Sequence, residues 1–176
     1  MSLRRIIHLC ACVLLLTSLT GLAGPVSSVE ISSPAFGAGS PIPARHALVS
    51  SNLSPELRLQ NVPANARSLV LIVDDPDAPA GLWTHWLVWN LPPNTTSIAE
   101  GKLPPEALQG KNSFGHVRYD GPAPPSGTHR YFFRVYALDT VLTLPAGANR
   151  AMLLEAMGDN HLLAKGETFG TYRAAP

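Results

Sequence analysis

Residues 69–91 carry the strongest constraint on what this chain can fold into. Two apolar runs, Leu69 to Val73 and His85 to Leu91, have the length and composition of strands. Between them lie Asp74, Asp75 and Asp77, with Pro76 and Pro79 restricting the backbone. Leu69 to Val73 has no polar position in it, which predicts a central strand covered on both faces. A chain with such a strand must supply two layers of cover. The rigid acidic turn then falls at a strand end, with His85 returning on the next strand. Acids and prolines are ordinary turn residues, so a solvated turn and a small polar pocket are both compatible with this stretch alone.

The rest of the chain reads as β-rich. A short strand is expected at 29–33 and a weakly alternating, exposed one at 57–62. On the strand after the acidic turn, strict alternation puts His85, Leu87 and Trp89 on one face and Trp86, Val88 and Asn90 on the other. Residues 95–127 are loop-rich, with one helical turn expected at 105–108. The longest strand is His129 to Asp139, where His129, Tyr131, Phe133, Val135 and Ala137 alternate with Arg130, Phe132, Arg134 and Tyr136. A single helix is predicted over Arg150 to Met157, capped by Asn149 and Gly158, with Met152, Leu153, Ala156 and Met157 as its apolar stripe. A last strand pair is expected at 162–165 and 168–172. The 17 prolines are spread along the chain as loop punctuation.

The first 23 residues differ from the remainder. Arg4 and Arg5 precede an apolar run to Leu22, and Gly21-Leu22-Ala23 offers a small-residue cleavage site, the layout of a secretory signal peptide. Cleavage after Ala23 would leave residues 24–176 as one domain in the periplasm or outside the cell. Cys10 and Cys12 both lie in the leader, so residues 24–176 hold no thiol for a disulfide, a nucleophile or a metal. Without Arg4 and Arg5 the balance is 11 basic to 12 acidic residues, a net charge of −1. That charge, with no basic run, gives no electrostatic support for binding nucleic acid or an anionic membrane.

Four groups can converge at one end of the sheet: the Asp75/Asp77 turn, His85, the Gly121 to Pro125 loop, and His129-Arg130-Tyr131. Each of the two histidines opens a strand after a Pro/Gly-rich loop. Imidazoles can donate to an anion, and a neighbouring carboxylate orients them. Either histidine could equally be a satisfied structural residue. Arg130 falls on the face opposite His129 and is assigned a structural ion pair, while His46, His116 and His161 are placed at the surface or in loops. No HxH or HExxH spacing supports a metal, and no Gly-x-Ser-x-Gly supports a serine nucleophile. An acid–base pair of Asp75 or Asp77 with His85 is the one catalytic arrangement these residues would allow.

Asp75-Pro-Asp-Ala-Pro79, Trp83-Thr-His-Trp86, and Gly121-Pro-Ala-Pro-Pro125 followed by His129-Arg-Tyr131 resemble the signatures of the phosphatidylethanolamine-binding protein family. Its bacterial branch is called Raf-kinase-inhibitor-like. The similarity extends to Ser33-Pro-Ala-Phe36, Pro41-Ile-Pro-Ala44 and Leu144-Pro-Ala-Gly147. The resemblance implies a mainly β, sandwich-like fold with a large central antiparallel sheet, a smaller sheet and one or two peripheral helices. It also implies an anion pocket at Asp75, Asp77, Trp83, His85, Gly121, Pro124, Pro125, His129 and Tyr131, binding phosphate esters or phospholipid head groups without a cofactor. Inhibition of a partner enzyme is the alternative it carries. Only Ser126-Gly127-Thr128 separates Pro125 from His129, shorter than in several relatives. Leu48 and Ala123 stand where many bacterial relatives have cysteines. The leader argues against a cytosolic kinase as partner.

Overall fold

A computed structural model describes residues 27–174; the proposed leader and its cleavage site lie outside the described residues. The strands are β1 (Ser27–Ser28), β2 (Glu30–Ser32), β3 (Leu57–Gln60), β4 (Ser68–Asp75), β5 (Trp83–Leu91), β6 (Ser97–Ile98), β7 (Leu108–Gln109), β8 (Thr128–Leu138) and β9 (Leu162–Arg173). The large sheet runs β1-β9-β8-β4-β5-β7, antiparallel except for β1 against β9. Strands β2-β3-β6 form the smaller antiparallel sheet, and α1 (Arg150–Met157) is the one α-helix among the described residues.

Every residue of β4 is buried. Its odd positions Leu69, Leu71 and Val73 pack with Tyr131, Phe133 and Val135 of β8 beneath the smaller sheet, through Ile31, Leu57, Leu59 and Ile98. Its even positions Val70 and Ile72 pack with Leu87, Trp89 and Leu138 beneath α1, which contributes Leu153 and Met157. An all-apolar strand is thus covered from both sides, as its composition requires. Asn149 caps α1 by accepting from the Met152 amide at 3.0 Å, and the Gly158 amide closes the other end on the Leu154 carbonyl at 3.2 Å. Met152 belongs to the outer face and not to the expected stripe, being 43% exposed.

Strict alternation fails in β5. The β4–β5 register shifts between Val73 and Asp74 and again between Leu69 and Leu71, so β5 carries an extra residue at each place. Such bulges rotate the strand and re-aim its side chains. At the first, Thr84 turns to the α1 side, where its hydroxyl donates to Asp74 at 2.8 Å. His85 and Trp86 both turn to the other side, with the His85 ring 5.1 Å from that of Tyr131 and Trp86 in the Tyr131 core. The expected grouping of His85 with Leu87 and Trp89 is therefore corrected. At the second bulge Asn90 adopts φ 57°, and its amide clamps both backbone groups of Leu142, at 2.9 and 3.0 Å, on the α1 side. That separates Asn90 from Trp86 and Val88, against the same alternation.

Three further expectations change. The turn at 105–108 leads into β7, which pairs Leu108 and Gln109 with Trp89 and Val88. The two last strands are one: β9 runs without a break through Gly166, which pairs with Val135. Gly166-Glu-Thr168 reads locally as a turn. Its glycine is there because the Val29 carbonyl crosses so close that a Cβ would lie 1.9 Å from the oxygen. His46, expected in a surface loop, is fully buried, with Nδ1 2.8 Å from the Leu53 carbonyl. Replacing Gly166 with Ala forces the N-terminal strand off β9. Overpacking of this kind is expected to cost about 1–3 kcal/mol, read as a lower midpoint in urea unfolding with little change in slope.

Candidate functional site

The acidic turn closes β4 and opens β5, and the two acids at the end of β4 point to opposite faces. Asp74 turns toward α1, where Arg150 donates Nη2–H to Oδ2 at 3.0 Å and Arg134 lies at 3.4 Å. Asp75 turns to the face of Tyr131. Its Oδ1 accepts the Asp77 amide at 2.8 Å, an Asx turn that locks the Pro76 corner. Its Oδ2 accepts from His129 Nδ1 at 2.7 Å. Asp75 and His129, 54 positions apart, are brought together by the antiparallel pairing of β4 with β8.

His85 reaches the same place through the bulge. Its Nδ1 donates to the Asp120 carbonyl at 2.6 Å, and the Asp120 amide donates back to the His85 carbonyl at 3.1 Å. Burial is the main influence on the His85 imidazole and lowers its pKa, outweighing the hydrogen bond to Asp120 and the nearby carboxylates of Asp75 and Asp74. The ring is therefore neutral at pH 7, with Nδ1 protonated and Nε2 free. In His129 the Asp75 carboxylate likewise holds Nδ1 and leaves Nε2 free. Both residues line a cavity of about 280 Å³, with Asp75, Trp83, Pro79 and Pro125. Tyr131 lies beneath His85, its hydroxyl buried close to Asp75 and the Ala123 backbone but without a well-formed hydrogen bond to either. The Trp83 indole N–H is also buried and unpaired.

Of the nine residues singled out from the sequence, Asp75, Trp83, His85, Pro125 and His129 line this cavity, and Tyr131 supports it. Gly121 acts through the backbone: the His46 carbonyl oxygen would lie 1.8 Å from a Cβ there, so only glycine lets the loop pack down. Pro124 is half-buried beside Pro125 and is not part of the wall. Asp77 faces away from the cavity. Arg130 grips its carboxylate with Nη2 on Oδ1 at 2.6 Å and Nε on Oδ2 at 2.9 Å, and its own amide adds a third bond at 2.9 Å. That grip holds the Asp77 pKa down at about 2. The expected structural role of Arg130 is this ion pair. An acid–base couple of Asp75 with His85 is not formed, because Asp75 is bonded to His129 and His85 to a carbonyl.

Phe114 is the cavity wall that strand patterning missed. Its ring meets Trp83 and His85 edge-on, each at 5.4 Å. It is delivered by a loop that Asn112 organises, accepting the amides of Phe114 and His116 at 3.0 Å each through Oδ1. The Asn112-Ser-Phe-Gly115 spacing was the available turn signal. Asp120 was missed as well. It is fully buried, and Asn52, Asn112, His116 and Arg118 converge on its carboxylate. Burial alone would raise the Asp120 pKa, but these four donors lower it instead. His116 and His161 are exposed, as expected, and each is paired with a carboxylate, Asp120 and Asp139 respectively. Among the described residues no group of three His, Cys, Asp or Glu side chains is placed to hold a metal ion.

The fold has counterparts among known proteins. Residues 32–173 match the model of the family described as phosphatidylethanolamine-binding protein. A UPF0098 protein of Methanothermobacter thermautotrophicus is 47% identical over 150 residues, covering 82% of this chain and 99% of the relative. The crystal structure of a phosphatidylethanolamine-binding protein homologue from Chlamydia trachomatis superposes with a TM-score of 0.80 at 44% identity, covering 85% of this chain and 99% of that one. E. coli YbcL, a member of the mammalian PEBP family, gives 0.77 at 29% identity, covering 85% and 100%. The chain belongs to the phosphatidylethanolamine-binding protein family.

Proposed function

We propose that this protein binds a small anion of the phosphate-ester class, such as a phospholipid head group, in the cavity between His85 and His129, and acts by binding and not by turnover. One observation carries the reading: two imidazoles from different strands, each with Nδ1 tied back by a hydrogen bond, line one small cavity. Tying back Nδ1 fixes each tautomer and orientation before a ligand arrives, which lowers the entropy lost on binding. Trp83, a wall residue, also carries an indole N–H that has no partner. The apolar remainder, Pro79, Phe114 and Pro125, excludes water and strengthens these contacts. Export, argued from the leader-like first 23 residues, is part of this proposal.

A second reading has some support of its own. Leu82, between the wall residues Ala80 and Trp83, is 48% exposed, so the cavity has an apolar lip that a partner enzyme could cover. Under that reading a pocket ligand gates inhibition of the partner. A pull-down with immobilised protein tests it: capture of an enzyme that is lost in Leu82→Ser supports it, and capture indifferent to that change removes it.

Three outcomes are expected. Titration calorimetry with phosphoethanolamine gives saturable binding that His85→Ala weakens by at least about tenfold, ~1.4 kcal/mol; unchanged affinity in a folded variant overturns the proposal. Inorganic sulfate, whose charge is constant between pH 5 and 8, binds more tightly as pH falls, by up to about tenfold per unit for one proton taken up. The cause is that the His85 pKa lies below its ordinary value and an anion at Nε2 stabilises the imidazolium. A pH-independent affinity would exclude His85 as the donor. Without ligand the sign reverses. His85 and His46 both have pKa values lowered by burial, so the unfolded chain binds more protons near and below pH 6.5. Stability is full above that pH and falls beneath it, seen as a lower urea midpoint at pH 5 than at pH 7.5.

A further inference from the structure

Asp120 joins the His85 imidazole to a second cavity, of about 450 Å³, within the usual size of small-molecule sites. Its walls include Asn52, Ser54, Lys102, Gln109 and Arg118, with the edge of Trp86 at the floor. No carboxylate lines it. The neighbouring Glu100 is paired with Arg45 at 3.0 Å, and Asp120 is wholly buried behind Asn52 and Arg118. Lys102 and Arg118 are exposed cations on its rim; Arg118 is held by Asp120, and Lys102 has no ion-pair partner among the described residues. Its amides and hydroxyl can each donate and accept, as sugar hydroxyls require. Gln109 gives Oε1 to the Trp86 indole at 2.8 Å, which leaves its NH₂ as a donor.

The walls of this cavity are also the struts of the first. Asn52, held at φ 53°, donates to Asp120 Oδ1 at 3.1 Å and accepts the Gly121 amide at 2.8 Å. Arg118 donates Nε–H to the same Oδ1 at 3.0 Å. The residue these side chains position, Asp120, holds His85 at both its ring and its backbone carbonyl through its own C=O and N–H. An anion that recruits Arg118 competes with the Asp120 carboxylate and loosens the hold on His85.

We propose that this cavity is a second binding site, for a small polyhydroxylated anion of the sugar-phosphate class, and that it communicates with the imidazole cavity through Asp120. The communication rests on the reading of His85 above, whereas the site itself does not. The test is a titration of ¹⁵N-labelled protein with glucose 6-phosphate, followed at the Trp86 indole N–H and at the His85 ring nitrogens. Wild type and His85→Ala are expected to show a saturating Trp86 shift with similar dissociation constants. Lys102→Glu, a substitution of an exposed residue, weakens it by at least about tenfold while the rest of the spectrum is retained. In wild type the His85 nitrogens follow the same isotherm, and in Asp120→Asn they do not. A Trp86 shift that is absent, lost in His85→Ala or unchanged in Lys102→Glu overturns the site. A Trp86 response with silent His85 nitrogens overturns the communication. Phosphate binding indifferent to His85→Ala removes the imidazole reading and leaves the second site standing.

Discussion

The structure depends on ending a strand that is buried on both faces with two consecutive carboxylates. A buried charge is tolerable only if it is paired and hydrogen-bonded. Because Asp74 and Asp75 alternate across the sheet, each needs its own partners on its own side. Asp74 takes Arg134, Arg150 and Thr84, which tie β8, α1 and β5 to the strand end. Asp75 takes His129 and the Asp77 amide. Solving the structural problem on one face therefore fixes the geometry of the site on the other. Removing Asp74 would leave two arginines without their shared counter-charge directly behind the cavity.

The β5 bulge is the second requirement. With regular alternation His85 would enter the core beneath α1, far from His129. The extra residue sends Thr84 to Asp74 and His85 to the Tyr131 side, so one irregularity gives Asp74 a hydroxyl partner and the cavity its second imidazole. Glycines do comparable work in the loops. At Gly121 and Gly166 the backbone of another segment passes within a distance that no side chain permits. Those approaches seat the Pro-rich loop over the cavity and the N-terminal strand against β9.

Much of this was legible in residue order. The all-apolar run of β4, the 11 residues of β8 and the capped helix have lengths and periods that local physics specifies. The acidic turn, the two histidines and the proline loop also stood out, since their chemistry exceeds what a turn needs. Harder to see were contacts whose partners lie far along the chain. Whether Asp77 faces ligand or Arg130 depends on β8 lying beside the turn. Phe114, Asp120 and buried His46 sit in irregular segments where no period exists to assign a face.

The sequence by itself determined the fold class, the family and the residue types available to the site, because apolar periodicity, proline and glycine positions and short motifs act locally. Tertiary structure alone decided which of those residues meet. The bulge chose the face of His85, the β4–β8 register paired Asp75 with His129, and the burial of Asp120 bound two cavities into one hydrogen-bonded network. The physical reason is that register and bulges are settled by packing of whole faces, and a shift of one residue moves a side chain to the opposite side of the sheet.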